Sequence, residues 1–296
     1  MDASGPAWPG IVVAGVVGLC VGSFANVVIY RSPREGLSVL SPARSFCPGC
    51  RAPVAARDNV PVLSWLLLRG RCRHCGTQIS ARYPAVELAL GLLFAAAWWL
   101  WPPAGAAEAG PLAAAWLLAF ACVTVTLIDL EHFIIPDVIT YPGTALGLAL
   151  SLAYPALHLG HVAFQADAPR LSSLAAAVAG LVAGGGSLAA VGWVGNIFLR
   201  RKLDAAGVQD AMGWGDVKWM AFAGTLLGVL SVLSAILIGC FLGALAGLVL
   251  KLVARVRGAE APVGLPFGPF LSVGIVAELL HPELAWAVVD ALARPA

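Results

Sequence analysis

Two aspartates lie at the edges of apolar stretches of the sequence, where a charged carboxylate is costly. Asp129 follows the apolar run Leu112–Ile128, and Asp216 lies in the glycine-rich segment Gly213–Lys218. An ionisable residue at the rim of a bilayer is a functional candidate, because hydrocarbon disfavours its charge. Asp129 and Asp216 are therefore candidates for an aspartyl dyad.

Two carboxylates a few ångströms apart cannot easily both ionise, so one keeps a proton while its partner stays charged. The charged group can take a proton from water as the water attacks a peptide carbonyl, and the neutral group can hydrogen-bond the carbonyl oxygen. Such a pair titrates as a unit, so neither role is assigned to one residue. Gly213 and Gly215 would let an extended substrate approach Asp216 closely. The spacing alone does not show that the two aspartates meet.

The alternative is that these acidic residues stabilise helix ends. Asp216 starts an apolar span, where aspartate is a common cap, whereas Asp129 ends one, where capping and the helix dipole disfavour it. Asp137 opens the next span and is interpreted mainly as a cap. Glu131 and His132 are expected to be solvated loop residues, and Lys218 to pair with Asp216 or a lipid phosphate.

The composition indicates a membrane protein, since 60% of the 296 residues are hydrophobic and only 11% are charged, far from the soluble average. A bilayer-spanning helix needs roughly 17 to 25 apolar residues. We therefore predict an all-α polytopic fold with about eight transmembrane helices. The predicted spans are Pro9–Tyr30, Ala85–Trp101, Leu112–Ile128, Ile139–Leu157, Leu174–Leu199, Val217–Leu233, Ser234–Val253 and Pro266–Val289.

The basic residues predict the orientation of these spans. With eight alternating spans, all of the 18 Lys and Arg residues except Arg170 and Arg294 fall on one face, which is expected to be cytoplasmic. The first span is not a cleavable signal, because its positive charges follow it at Arg31 and Arg34. Asp129 and Asp216 then both lie at the cytoplasmic rim of a multi-pass inner membrane protein. The net charge of +2 reflects loop orientation and anionic lipid, and no nucleic-acid partner is indicated.

Four cysteines in two Cys-x-x-Cys motifs predict a zinc site in the polar segment between the first two spans. Cys47, Cys50, Cys72 and Cys75 offer four thiolates for tetrahedral Zn²⁺. The alternative is two disulfides or free thiols, and a reducing cytoplasmic face disfavours the disulfides. The chain is thus divided into an N-terminal helix (1–30), a small cytoplasmic zinc-binding domain (31–83) and a seven-helix membrane domain (84–296). The other cysteines are expected to be small core residues: Cys20, Cys122 and Cys240.

The order of the motifs resembles the type IV prepilin peptidase family, over nearly the whole chain. The resemblance is carried by Gly22–Arg31, Pro42–Cys50, Asn59–Leu66, Arg69–Cys75, Ile79–Glu87, the segment around Asp129, Gly213–Lys218 and Pro266–Phe270. It implies that Asp129 and Asp216 are the catalytic pair of a membrane aspartic endopeptidase of the GxGD type, and that the four cysteines hold structural zinc.

The resemblance also implies the substrate. The expected partners are prepilins and pseudopilins of type IV pilus and type II secretion systems, which the enzyme would cut after the leader glycine on the cytoplasmic face. The new N-terminal residue would then be methylated, with S-adenosyl-L-methionine as methyl donor. The sequence shows no nucleotide-type glycine motif for this donor, so its site is not predicted. Gly22, Asn26 and Glu87 in the N-terminal motifs could serve methyl transfer or could only pack helices together.

One departure and two rival classes remain. The loop 158–170 and the long span Leu174–Leu199 lengthen the interval between the aspartates relative to the family. A transporter or channel with rim carboxylates would favour charges within spans and inverted repeats, which the sequence lacks. A non-catalytic zinc-domain assembly factor would explain the cysteines and would leave Gly213–Asp216 unexplained.

Overall fold

The computed structural model describes residues 8–42, 44–158, 168–205, 207, 210–259, 264–281 and 284–285. These residues form helices and short turns. The helices are α1 (Trp8–Arg31), α2 (Leu63–Leu67), α3 (Arg82–Leu100), α4 (Gly110–His132), α5 (Asp137–Ala153), α6 (Pro169–Ala205), α7 (Trp214–Arg257) and α8 (Gly268–Leu280). Two isolated β-bridges lie in the polar domain between α1 and α3.

The predicted all-helical membrane fold is confirmed in outline. Five helices, α1, α3, α4, α6 and α7, are long and apolar enough to cross a membrane, and α8 is a shorter apolar helix. The fourth predicted span is shorter than expected, because α5 ends at Ala153 and a separate 3₁₀ turn, Pro155–His158, follows it. Most of the loop 158–170 and the end of the last predicted span lie outside the described residues.

Helix α7 contains the sixth and seventh predicted spans as two arms that reverse direction at Gly228. Gly228 has φ 74° and ψ −177°, a conformation open essentially to glycine alone. A Cβ added to Gly184 of α6 would lie 2.2 Å from the Met220 carbonyl oxygen and 2.9 Å from Val232 Cγ2. In a straight helix those two residues would be about 18 Å apart. The reversal therefore lies at Gly228, several residues before the predicted boundary, since both arms are apolar and hydropathy does not mark it.

Close backbone contacts hold the first arm (214–227) against α6. A Cβ on Gly180 would lie 2.1 Å from the Gly224 carbonyl oxygen, and the converse holds for a Cβ on Gly224 and the Gly180 oxygen. Small residues permit such helix contacts in membranes, where dispersion and hydrogen bonding replace the hydrophobic effect. The position of the first arm is thus fixed by glycine.

The second arm (229–257) packs antiparallel to α8. A Cβ on Gly274 would lie 2.2 Å from the Ala235 carbonyl oxygen, while one on Gly239 would contact Leu271 at 3.1 Å. Helix α4 lies beside α8, and its buried residues join one apolar core with both arms of α7. This arrangement brings the start of α8 to the end of α4, where Asp129 lies.

The polar domain is anchored to the end of α1 by Arg31. This side chain is buried, and its guanidinium donates hydrogen bonds to four carbonyl oxygens of the loop that follows, those of Ser38, Val39, Pro42 and Arg44. It also lies over the Phe46 ring, 5.6 Å from the centroid. An arginine expected only to orient the first span therefore organises the entry to the cysteine domain.

The expectation that the three remaining cysteines are core residues is correct for Cys122 alone. Cys122 is buried, whereas Cys20 and Cys240 are exposed on the surface of the helix bundle. A thiol is weakly polar and suits an apolar surface as well as a core, so hydropathy does not distinguish the two positions.

We predict that Gly180→Ala destabilises the protein, because its methyl group requires α6 and α7 to separate. Overpacking of this kind costs about 1 to 3 kcal/mol. The midpoint of thermal unfolding in detergent should fall by several degrees.

Gly186→Ala is the matched control on the same helix. The nearest atom to its added Cβ is 3.8 Å away, and alanine is the better helix former. Its unfolding midpoint should be unchanged or higher. Equal midpoints for the two variants would contradict the close approach of α6 and α7.

Candidate active site

Asp129 lies in the last turn of α4 and binds the start of a different helix. Its side chain is buried, and Oδ2 accepts a hydrogen bond of 2.8 Å from the Gly268 N–H, the first residue of α8. Helix α8 has no side-chain cap of its own at Phe267. Asp129 thus satisfies one of the free N–H groups at the α8 N-terminus, where the helix dipole favours negative charge. Asp129 is unfavourable as a cap of its own helix, and it instead binds the N-terminus of a second helix.

Asp216 lies in the first turn of α7, and the N-cap position is occupied by Gly213. The Asp216 side chain turns back over that glycine, since a Cβ on Gly213 would lie 2.8 Å from Asp216 Oδ2. A side chain at position 213 would therefore displace the Asp216 carboxylate, although the backbone there (φ −66°, ψ 128°) is open to any residue. The interpretation of Asp216 as the N-cap residue is wrong, because the cap residue lies three positions earlier.

Ile135 brings the two aspartates into one site. A Cβ on Gly215 would lie 3.0 Å from Ile135 Cβ, and a Cβ on Gly268 would lie 3.2 Å from Ile135 Cδ1 and 2.8 Å from Asp129 Oδ2. The Ile135 side chain is thus held between the helix start that binds Asp129 and the turn that carries Asp216. This packing places the turn that carries Asp216 beside the helix start that binds Asp129. The role of Ile135 is not predictable from the sequence, because a buried isoleucine in a loop carries no chemical signal.

Two exposed ion pairs flank this site and differ from expectation. Lys218 pairs with Asp137, the first residue of α5, and not with Asp216. Glu131 belongs to the last turn of α4 and pairs with Arg82 of α3. Glu131 and Asp137 are therefore paired side chains, whereas Glu131 was expected to be solvated and Asp137 to be a cap.

The four cysteines form one compact cluster of free thiols. Their sulfur atoms all lie within 4.8 Å of one another, and Cys47 Sγ lies 3.8 Å from Cys75 Sγ. Tetrahedral zinc with Zn–S bonds of about 2.3 Å requires sulfur separations of about 3.8 Å. The thiols are not paired as disulfides. The geometry fits a tetrahedral metal better than the disulfide alternative.

The two Cys-x-x-Cys motifs adopt the same local structure. In each motif, the residue that follows the second cysteine donates its N–H to the carbonyl oxygen of the first cysteine. This donor residue has positive φ in both motifs: Arg51 (57°) and Gly76 (69°). One β-bridge closes each turn, between Phe46 and Pro53 and between Arg71 and Gln78. This repeated turn presents two sulfur atoms on one side.

The electrostatics of the cluster also favour a cation. The pKa of Cys75 is lowered to about 6, most strongly by a hydrogen bond with the Thr77 side chain and next by one with the Thr77 backbone. The Ala52 N–H lowers the pKa of Cys50, but burial and the three neighbouring thiols outweigh it and raise that pKa to about 11. Four crowded thiolates therefore repel one another unless a metal ion neutralises them.

A cavity of about 760 Å³ lies between the cysteine domain and the ends of α1 and α3. Glu87 of α3 lines it, and its Oε2 accepts a hydrogen bond of 2.7 Å from the Val62 N–H. Val62 has φ 59°, a strained conformation for a β-branched residue that often marks function.

Two further groups give this cavity a polar character. Asn26 also lines it, and its buried Oδ1 atom has no hydrogen-bond partner among the described residues, while Nδ2 donates to the Tyr83 carbonyl. Glu131 and Arg82 lie at its edge. The cavity has the size of a small-molecule site and contains two of the residues that the sequence left between packing and chemistry, Asn26 and Glu87. The third, Gly22, packs against the Glu87 backbone: a Cβ added to Gly22 would lie 2.5 Å from the Glu87 Cα.

Comparison with known proteins identifies two family matches in chain order. Residues 16–101 match the bacterial peptidase A24 N-terminal domain, and residues 116–248 match the type IV leader peptidase family. The chain is 36% identical over 285 residues to the type 4 prepilin-like proteins leader peptide-processing enzyme of Escherichia coli O78:H11, covering 90% of this chain and 93% of that protein.

Two prepilin leader peptidase/N-methyltransferases are similarly related. The protein from Burkholderia pseudomallei strain 1026b is 37% identical, covering 89% of this chain and 83% of the relative. The protein from Pectobacterium carotovorum is 35% identical, covering 91% and 92%. No solved structure matches the chain.

We predict that the purified protein binds one Zn²⁺ per chain and that Cys47→Ser abolishes this binding. Loss of one thiolate leaves three soft ligands, and acidification should release the metal, because the ligands must be deprotonated. Elemental analysis after gel filtration measures the stoichiometry. Cys240→Ser, on the exposed surface of α7, is the control and should retain zinc. A metal content that is unchanged in Cys47→Ser would rule out this site.

Proposed function

This chain belongs to the type IV leader peptidase family, and on that premise we propose that it is a membrane aspartic endopeptidase that also methylates its product. Its substrates are prepilins and pseudopilins, from which it removes the leader peptide after glycine. It then methylates the new N-terminal residue. Asp129 and Asp216 form the proteolytic site, and the cavity beside the cysteine domain is the methylation site. Family membership argues against a transporter and against a non-catalytic assembly factor.

The observation that carries the proteolytic site is the convergence of both aspartates on Ile135. The residues come from α4 and α7, which are far apart in sequence, yet Ile135 packs both against Gly268, which binds Asp129, and against Gly215, which precedes Asp216. One charged carboxylate takes a proton from the attacking water, and the protonated partner hydrogen-bonds the scissile carbonyl. The pair acts as a unit.

The start of α8 contributes to this chemistry. The Gly268 N–H and the positive end of the α8 dipole stabilise negative charge on the pair. They also fix the orientation of the Asp129 carboxylate, which leaves its second oxygen to face the partner or the water. Gly213 leaves room for the Asp216 carboxylate itself, and Gly215 leaves room for Ile135.

The cavity beside the cysteine domain suits methylation of an amine by S-adenosyl-L-methionine. When bound, this molecule supplies the methyl group. The Glu87 carboxylate suits an ammonium or a sulfonium group. Glu131 is paired with Arg82, and the Tyr30 and Tyr83 rings lie against Arg34 and Arg82. The Glu87 carboxylate is held by the Val62 N–H and can form an ion pair with a positively charged substrate amine. The unpaired Asn26 oxygen is a further acceptor.

Zinc in this proposal is structural. The four cysteines tie two turns together in a segment that is too small to form a large core. Cys47, Pro48 and Cys72 also line the cavity, so the metal would fix one of its walls. The distribution of Lys and Arg supports a cytoplasmic position for this domain and for both sites.

We predict that Asp129→Asn and Asp216→Asn each lower cleavage of a prepilin-like substrate by at least about 100-fold, the scale of lost acid–base catalysis. Purified variants in detergent should retain the wild-type unfolding midpoint. Asp204→Asn, an exposed residue of α6, is the control and should cut normally. Near wild-type cleavage by either dyad variant would refute the mechanism.

We predict that Glu87→Gln reduces methylation of the cleaved product at least about tenfold while leaving cleavage near wild type. The amide keeps the shape and the hydrogen bond from Val62 but removes the charge that attracts an amine. Mass spectrometry of one reaction measures both products. A parallel loss of cleavage and methylation would show instead that Glu87 only packs α1 against α3.

A further inference from the structure

An apolar groove of about 370 Å³ runs along the outer surface of the bundle between α3, α4 and α8. Its α3 wall contains Arg82, Ala85 and Ala89, whose spacing places them on one helix face. Its outer lip is formed by Val273 of α8, which is 51% exposed. The groove therefore faces the surroundings of the bundle, and its lining shares Arg82 with the cavity beside the cysteine domain.

The walls of the groove lead to the two proposed sites. Cys122 of the α4 wall is seven residues before Asp129, so the two share one helix face two turns apart. Ser272 of the α8 wall is one turn after Gly268, which binds Asp129. One end of the groove thus lies at the proteolytic site.

Arg82 connects the same end to the methylation cavity. It lines both the groove and the cavity, and it pairs with Glu131. Glu131 follows Asp129 by two residues, so these carboxylates face opposite sides of the last turn of α4. The proteolytic site and the cavity are therefore separated only by the width of one helix end.

The chemistry of the groove fits an apolar helix better than a lipid tail. Four lining residues are small, and small residues allow a second helix to pack closely within a membrane: Ala85, Ala89, Cys122 and Ser272. From Arg82 to Ala89 the wall extends about 10 Å, or two helical turns. Asp129 and the Arg82-paired Glu131 lie beyond the end of the groove, towards which the basic leader or the new α-amine of a substrate would extend.

We propose that this groove holds the apolar helix of the prepilin-like substrate during both reactions. The inference rests on the proposed function. The helix stays in the groove after cleavage, and only its new amino terminus moves, from Asp129 past the Arg82–Glu131 pair to the cavity. Product does not need to leave and rebind between the two reactions.

Ala89→Leu tests the groove by filling it from the α3 wall. With a membrane substrate that contains the full apolar helix, KM for cleavage should rise at least about tenfold. A short soluble peptide with the leader and only a few following residues should be cut as by wild type. Ala244→Leu, at an exposed position of α7, is the matched control and should leave KM for both substrates unchanged.

A photo-crosslinking amino acid at Val273 provides a second measurement that does not depend on activity. In the Asp129→Asn background, it should crosslink to the helix of the uncut substrate, whereas the same probe at exposed Leu245 of α7 should not. Crosslinks from Leu245 alone, or wild-type KM in Ala89→Leu, would assign the groove to lipid and overturn the proposal. Cleavage that persists in Asp129→Asn would instead refute the proteolytic dyad, so the two failures are distinguishable.

Discussion

The hydrogen bond from the Gly268 N–H to Asp129 is the interaction on which the site depends. It joins the end of α4 to the start of α8, and it gives a buried carboxylate the donor that hydrocarbon cannot supply. Helix α8 in turn packs on the second arm of α7 through Gly239 and Gly274. The position of Asp129 is thus set by three helices, although only one of them carries it.

Asp216 is placed by a different kind of contact. The first arm of α7 lies against α6 at van der Waals distance, with backbone touching backbone at Gly180 and Gly224. A membrane bundle gains little from burying apolar surface, since lipid is equally apolar, so close packing must hold it together. The glycines that appear as weak helix formers in the sequence are here the residues that specify the position of a carboxylate.

The sequence was sufficient to predict the parts of the fold that lipid and metal chemistry constrain. Long apolar runs predicted the helices, and two Cys-x-x-Cys motifs predicted the sulfur cluster that the structure contains. Contacts that depend on packing were not predictable. The reversal at Gly228 lies within continuous apolar sequence, and the partner of Glu131 is an arginine from another helix. The N–H that binds Asp129 belongs to the backbone, which every residue possesses.

The reversal at Gly228 limits how far the first arm of α7 extends through the membrane. The first arm of α7 contains fourteen residues (214–227) and extends about 21 Å, which is less than the roughly 30 Å of a hydrocarbon core. Gly228 and Asp216 therefore cannot lie at opposite faces of the hydrocarbon core, and the length of this arm sets the distance between the reversal and the carboxylate. Insertion of one helical turn would displace Asp216 by about 5.4 Å along the membrane normal. The bond selected in an extended substrate would then shift by one or two residues.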